Sequence, residues 1–144
     1  AKTLKTGFNR QADEIEVAVH ALLARSQHEQ FSTIIEGVHI RPSIVEVLDL
    51  PRDAIVVPLL IAANRKKTLR TFFRGRAVSA PQRGRRHYLD NFSAIWDLQS
   101  LLMSEAENYD VPVVINETEG GHIMNRMFSI ISSAVLEASP DPSG

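Results

Sequence analysis

Three short apolar runs alternate with helical patterns along this chain, and that order restricts the fold more than any other feature. The runs cover residues 31–35, 54–61 and 111–115. The run 54–61 is apolar throughout instead of alternating with polar residues, which is typical of a strand covered on both faces, and residues 31–35 and 111–115 predict short strands. Such strands, separated by helices, favour a parallel sheet. We therefore expect an α/β fold with about three parallel strands.

The connecting segments have apolar side chains at the spacing of amphipathic helices. This spacing predicts a first helix over about 10–29, a long helical pair over about 64–76 and 87–108, and a final helix from about 119 onward. A short segment, 43–48, lies between Pro42 and Pro51 and predicts one or two helical turns. Pro58 falls within the second apolar run and indicates a bulge or a strand end there.

Length and composition exclude several classes of protein. The 144 residues suit one domain, and 44% hydrophobic residues can form a core. The absence of cysteine excludes disulfides and thiolate chemistry. The longest apolar stretch, 54–63, is shorter than the ~20 residues that span a bilayer. We expect a cytoplasmic protein that does not insert into a membrane.

The net charge of −1 conceals a strongly basic segment. Residues 64–88 contain nine Lys or Arg and no acid, whereas the other 119 residues contain 7 Lys or Arg and 17 Asp or Glu. Lys66, Arg70 and Arg74 follow at intervals of four and share a helix face turned away from Leu69 and Phe73, where an anion would relieve their mutual repulsion. The segment therefore predicts an anion site, and the alternative is a solvated basic face.

Polar residues follow each predicted strand, at the edge where parallel sheets bind ligands. They belong to the segments 36–39, 62–65 and 116–119. Glu36 at the end of an apolar strand is typical of an acid beside a nucleotide phosphate or its metal. Gly37 would allow a sharp turn and a close approach to a ligand. The alternative is that Glu36 caps the next helical turn and His39 packs.

Two blocks of the sequence resemble the 2-phosphoglycerate kinases, a branch of the P-loop kinases. The first is Ile34-Ile35-Glu36-Gly37-Val38-His39-Ile40-x-Pro42, and the second starts at His87-Tyr88-Leu89-Asp90-Asn91-Phe92 and continues through Gln99 to Val114. The similarity covers about residues 7–136. It implies a three-layer parallel sheet of the P-loop kinase type, of which about three strands are present. It also implies ATP and Mg²⁺ as cofactors and a small phosphorylated hydroxy acid as the substrate.

The resemblance assigns roles to particular residues. Glu36 would be the catalytic acid near Mg²⁺, and Arg74 and Arg86 would be catalytic arginines of a lid over about 74–87. Asn116 would face the nucleotide. The substrate-binding candidates come from two places. Four are arginines in or near the lid, Arg70, Arg76, Arg83 and Arg85, and two belong to the segment that follows Glu36, His39 and Arg41.

The sequence has no Gly-x-x-x-x-Gly-Lys-Ser/Thr motif, which such kinases use to bind phosphates. We therefore expect residues 1–138 to be the carboxyl-terminal part of a kinase-like domain and 139–144 to be a disordered tail. Without the phosphate-binding loop, the chain alone should be inactive. Its strand edges would then be left to pair with a missing amino-terminal part or a second copy.

Two other functions remain open from the sequence. The basic segment could bind RNA or another polyanion, although few aromatic residues lie among its arginines, so we do not expect nucleic acid as the main partner. The chain could also be a kinase-derived, non-catalytic interaction module.

Overall fold

The computed structural model describes residues 2–49, 51, 54–79, 91–117 and 122–138. It is an α/β structure of five helices and a two-stranded parallel sheet within this part of the chain. In chain order the elements are α1 (Lys2–His28), α2 (Ile44–Val47), β1 (Leu60–Ala62), α3 (Lys66–Ser79), α4 (Phe92–Asn108), β2 (Val113–Ile115) and α5 (His122–Ala138).

The α/β class and the parallel pairing are confirmed, but the sheet is smaller than predicted. In the register of the two strands, Leu60, Ile61 and Ala62 lie beside Val113, Val114 and Ile115. β1 contains only the last two residues of the apolar run 54–61 and then Ala62, because Pro58 has no N–H to donate to a ladder. α1 begins eight residues before the predicted start, and α3 continues to Ser79 although a break was predicted from Val78.

The prediction of a buried strand over 31–35 is wrong. The structure has no strand there, and Phe31 and Ile34 are 46% and 96% exposed. A strand requires a neighbour for its N–H and C=O groups, and no strand lies beside this segment in the described part of the chain. A three-layer sheet is therefore not observed among these residues.

Two helices end in the same way, and this fixes where the chain leaves them. After α1, Gln30 adopts a φ of 52° and the N–H of Phe31 donates to the carbonyl of Ser26 at 3.1 Å. After α4, Asp110 adopts a φ of 52° and the N–H of Val111 donates to Ala106 at 2.8 Å. This left-handed cap gives a hydrogen-bond donor to carbonyls that have none within the helix. In α4 it directs the chain straight into β2.

The core lies where α1 crosses α4 above the sheet. Phe8, Ala12 and Leu102 form a buried cluster, and Leu60 of β1 and Leu98 of α4 pack against it. One face of the sheet is thus covered by α4 and α1. On the opposite face Val114 is fully buried, whereas its neighbour Ile61 is 47% exposed. Helices of the length and apolarity needed to cross a membrane are absent from the described residues.

Candidate functional site

The carboxyl ends of β1 and β2 meet at one edge of the sheet, as predicted for the ligand-binding edge of a parallel fold. The N–H of Asn116 donates to the carbonyl of Ala62 at 2.8 Å and extends the ladder by one residue. The side-chain amide of Asn64 donates to Glu117 at 3.1 Å, so the two loops that leave the strands are joined by a side-chain bond. Asn116 therefore lies at this edge, beside the loop that leads into α3.

Gln99 of α4 fixes the first residue after β1. Its side-chain oxygen accepts from the N–H of Ala63 at 2.8 Å, and its amide nitrogen donates to the carbonyl of Ala63 at 2.9 Å. Ala63 is buried, so Gln99 satisfies two backbone groups that would otherwise have no water. An open groove lies beside this contact, between Asn64 and the α4 residues Trp96, Ser100 and Met103.

Three residues separate β1 from the basic helix α3, which packs against α4. The Lys66 ammonium lies 5.7 Å from the ring centre of Trp96, and the Arg70 guanidinium lies 4.5 Å from that of Phe92. Phe73 meets the edge of the same Phe92 ring. The predicted cation face is thus turned toward α4 at two of its three positions, whereas it was expected to face away from the apolar side. Arg74, the third position, is exposed.

Cation–aromatic contacts of this kind hold a side chain in place without neutralising it. Lys66, Arg70 and Arg74 remain exposed, and none has an ion pair with the described residues. Within the described part of the chain, no acid therefore neutralises these three cations of α3. The side chain of Arg76 and the residues Arg83, Arg85 and Arg86 lie outside the described residues, as does most of the predicted lid.

Glu36 is exposed in the loop that follows residue 35, and it makes no hydrogen bond or ion pair with the described residues. Gly37 does not have the positive φ that was expected of a sharp glycine turn. A Cβ there would meet only Ile40 at 3.7 Å, an ordinary contact. The loop is closed instead by the N–H of Ile40, which donates to Gly37 at 3.1 Å.

His39 and Arg41 fasten this loop to α1. The His39 ring stacks on Phe8 at 5.2 Å between centroids, and its Nε2 lies 2.9 Å from Oε1 of Gln11. The guanidinium of Arg41 donates to Asp13 at 2.7 Å and to Glu16 at 2.9 Å. The packing role considered for His39 from the sequence is therefore observed, and Arg41 has a similar one.

Arg41 is a largely buried charged group held by two acids of α1. Its side chain is 17% exposed. Burial lowers the pKa of Arg41, but hydrogen bonds to Glu16 and Asp13 and the charges of both acids outweigh that effect and raise the pKa above its ordinary value. Both bonds come from Nη2, and the buried Nε has no partner among the described residues. The group is a permanent cation that holds two acidic residues of α1.

The predicted site residues are not brought together by the described contacts. Asn116 lies at the edge where β1 and β2 end, Arg70 and Arg74 lie on α3 with Arg70 over the Phe92 ring, and His39 and Arg41 lie against α1. Glu36 shares the loop of His39 and Arg41, and no hydrogen bond or ion pair links it to Asn116 or α3 within the described part of the chain. These residues contain no cluster of three or more metal-ligating side chains.

The sequence reasoning missed the polar residues that organise these loops. Gln99 was noted only as part of a family-like block, although a glutamine on the apolar side of a helix is itself a signal of a buried polar contact. Glu105 lies in the same block, and it accepts from the N–H of Ser43 at the start of α2 at 3.1 Å. Trp96, an aromatic residue that could equally belong to a core, lines the groove under Lys66.

Sequence comparison connects this arrangement to known proteins. A protein of Methanopyrus kandleri named 2-phosphoglycerate kinase is 31% identical over 137 residues, which cover 92% of this chain. The chain is homologous to the 2-phosphoglycerate kinases. The proteins of that name from Thermococcus kodakarensis and Pyrococcus furiosus are 32% and 26% identical over 110 residues, or 76% of this chain. The resemblance predicted from the two sequence blocks is thus confirmed.

The homology covers most of this chain but a smaller share of the relatives. The chain spans 40% of the Methanopyrus kandleri 2-phosphoglycerate kinase, 36% of the Thermococcus kodakarensis protein and 35% of the Pyrococcus furiosus protein. No family model matches the chain. No solved structure matches it either.

Proposed function

We propose that this chain contributes the lid arginines and the acidic loop of an ATP-dependent kinase that phosphorylates a small phosphorylated hydroxy acid. The observation that carries the proposal is the homology to 2-phosphoglycerate kinases over 76–92% of the chain. The basic helix α3, beginning directly after the carboxyl end of β1, supports it, because phosphoryl transfer depends mainly on positive charge held in place around the phosphate.

The residues fit the cofactors that the proposal requires. Glu36 is an exposed carboxylate without a cation partner among the described residues, which suits a ligand of Mg²⁺. Glu36 is the one acid of this loop in the described part of the chain, so the substrate phosphates and water would complete the coordination. Magnesium ATP, when bound, supplies the phosphoryl group. Asn116, at the edge where the strands end, is proposed to face the nucleotide.

The arginines divide into two proposed roles. Arg74 and Arg86 are proposed to neutralise charge on the phosphoryl group during transfer, as the resemblance implies. The proposed substrate-binding arginines of this region are Arg70, Arg76, Arg83 and Arg85. The guanidinium of Arg70 rests on the Phe92 ring.

His39 and Arg41 remain proposed residues of the acceptor pocket, but their contacts add a second role. His39 rests on Phe8, and Arg41 binds two carboxylates of α1. Both therefore set the position of the loop that begins at Glu36. A change in either residue is expected to act on the placement of Glu36 as well as on acceptor binding.

The proposal requires a phosphate-binding loop from another part of a kinase-like polypeptide. The extended segment 31–35 and the outer edge of β1 have no strand partner in the described residues, which suits an additional strand. We propose that this strand belongs to the part of the kinase that the relatives contain and this chain does not match. Parallel sheets with both faces covered usually have more than two strands, so such an addition would complete the P-loop kinase fold.

The experiment joins this chain to the part of the Methanopyrus kandleri relative that it does not match. Transfer of phosphate from ATP to 2-phosphoglycerate is then measured for the chimera and for its Glu36→Gln and Arg74→Met variants. We expect kcat to fall by about 100-fold or more in each, since each change removes a charge at the transferring phosphate. Glu46→Gln, an exposed acid of α2, is the control. Undiminished turnover in Glu36→Gln would remove Glu36 from the mechanism.

A second candidate function is supported by the basic residues in α3 and just before it. Arg65, Lys67 and Arg74 are exposed, and no acid lies between residues 64 and 88, which suits binding of RNA or another polyanion. This function predicts that the chain alone binds a fluorescent oligouridylate with an affinity that falls steeply as salt is raised. Binding that is insensitive to salt, or absent at low salt, would exclude it.

A further inference from the structure

The terminal helix α5 exposes an apolar stripe that nothing in the described structure covers. Met124, Phe128 and Ile131 are 50%, 60% and 38% exposed, and they follow at intervals of four and three residues. This spacing places them on one side of the helix. A second apolar row, Ile123, Met127, Ile130 and Ala134, is less exposed. α5 packs against β2, yet none of its residues is fully buried.

The sheet has an uncovered apolar position on the face opposite the core. Ile61 of β1 lies beside Val114 of β2 in the register, so their side chains share one face. Val114 is fully buried, but Ile61 is 47% exposed. Parallel sheets are normally covered on both faces, and here that cover is complete over β2 only. A helix placed over β1 on this face would cover Ile61.

The chemistry of the stripe indicates the kind of partner. No charged residue lies between Met124 and Ile131 except Arg126, and residues two apart on a helix do not face each other. The stripe is therefore apolar without a charged member, and an apolar helix face is its complement. The relatives are much longer than this chain, which spans 35–40% of their length. They thus contain further segments that could supply such a helix.

We propose that the α5 stripe, formed by Met124, Phe128 and Ile131, docks an amphipathic helix from the part of a 2-phosphoglycerate kinase-like polypeptide that this chain does not match. The helix lies beside α5 and covers Ile61. This surface is separate from the strand edge and the arginines, and it concerns assembly instead of chemistry. The inference rests on the proposed function only in naming a kinase-like polypeptide as the partner.

Binding in trans tests the proposal. The 144-residue chain, with an affinity tag, is coexpressed with the unmatched part of the Methanopyrus kandleri relative, and the dissociation constant is then measured between the purified partners. We expect a complex whose dissociation constant rises at least tenfold with Phe128→Glu and with Met124→Glu. Arg126→Glu, a change of charge on the other side of the same helix, should alter it by less than twofold. Circular dichroism of each variant verifies that α5 remains folded.

Three results would overturn the proposal. The first is the absence of a complex, and the second is equal binding by wild type and Phe128→Glu. The third is a homodimer of the chain alone, seen by analytical ultracentrifugation and lost in Phe128→Glu, which would make a second copy the occupant. The outcome is independent of catalysis: a complex that is sensitive to Phe128 but does not transfer phosphate supports this surface and refutes the proposed function.

Discussion

Gln99 provides the sharpest test of how the end of β1 is held. We expect Gln99→Met to destabilise the chain, because methionine retains the length and shape of the side chain but can neither donate to the carbonyl of Ala63 nor accept from its N–H. Two hydrogen bonds are lost, each contributing about 1 kcal/mol, and two buried backbone groups are left without partners at an added cost of about 1–3 kcal/mol. The expected loss is about 3–5 kcal/mol.

Equilibrium urea unfolding, followed by circular dichroism, measures this loss. A loss of this size is large compared with the ~5–15 kcal/mol that stabilises a typical domain, so the midpoint should fall visibly. Ser100→Ala is the control, because the neighbouring hydroxyl only donates to the carbonyl of Trp96 one turn earlier in its own helix. It should change stability by less than about 0.5 kcal/mol. A Gln99→Met variant as stable as the Ser100→Ala control would refute the role assigned to Gln99.

Three further substitutions test the loop and the extended segment by the same unfolding assay. Arg41→Met should cost about 1–2 kcal/mol, while Arg10→Met, which breaks only the exposed 3.8 Å pair with Glu14, should cost less than about 0.5 kcal/mol. The pKa of Arg41 is raised, so its ion pairs stabilise the folded chain at every pH below the ordinary arginine pKa and are lost only as pH rises through the raised value. The loss of stability in Arg41→Met should therefore be equal at about pH 6 and about pH 9. Gly37→Ala should change stability by less than about 0.5 kcal/mol, because its φ is not positive and a Cβ fits; a loss above about 1 kcal/mol would show a strained turn. Ile34→Ser should be neutral within about 0.5 kcal/mol in this chain, and a larger loss would mean that residue 34 is buried.

The sequence predicted the elements whose stability is local or whose partners lie in the described structure. The spacing of apolar residues identified α3, α4 and α5, because an amphipathic helix satisfies its own backbone and needs only a surface to cover. The strand predicted over 111–115 is confirmed in its last three residues, 113–115, because β1 lies beside them. Residues 31–35 carry apolar side chains at Phe31, Ile34 and Ile35 but have no neighbouring strand in the described part of the chain, and pairing cannot be read from the pattern of one strand.

The candidate site was predictable in its residue types but not in its contacts. The strand-end position of Asn116 follows from topology, since the carboxyl ends of parallel strands share an edge. The partners of Arg41 are Asp13 and Glu16, 25 or more positions earlier, and no local spacing indicates such a pair. The positions of Lys66 and Arg70 depend on aromatic residues of α4, because a cation gains from an aromatic face even where a helical wheel predicts solvent.

Phosphoryl transfer by the chimera is the most direct test of the central claim that this chain is a working part of a 2-phosphoglycerate kinase-like enzyme. The measurement follows radiolabel from the γ-phosphate of ATP to 2-phosphoglycerate in the presence of Mg²⁺. We predict transfer by the chain joined to the unmatched part of the Methanopyrus kandleri relative, and none by either part alone. No transfer by the folded chimera, or transfer by this chain alone at the rate of the chimera, would contradict the account.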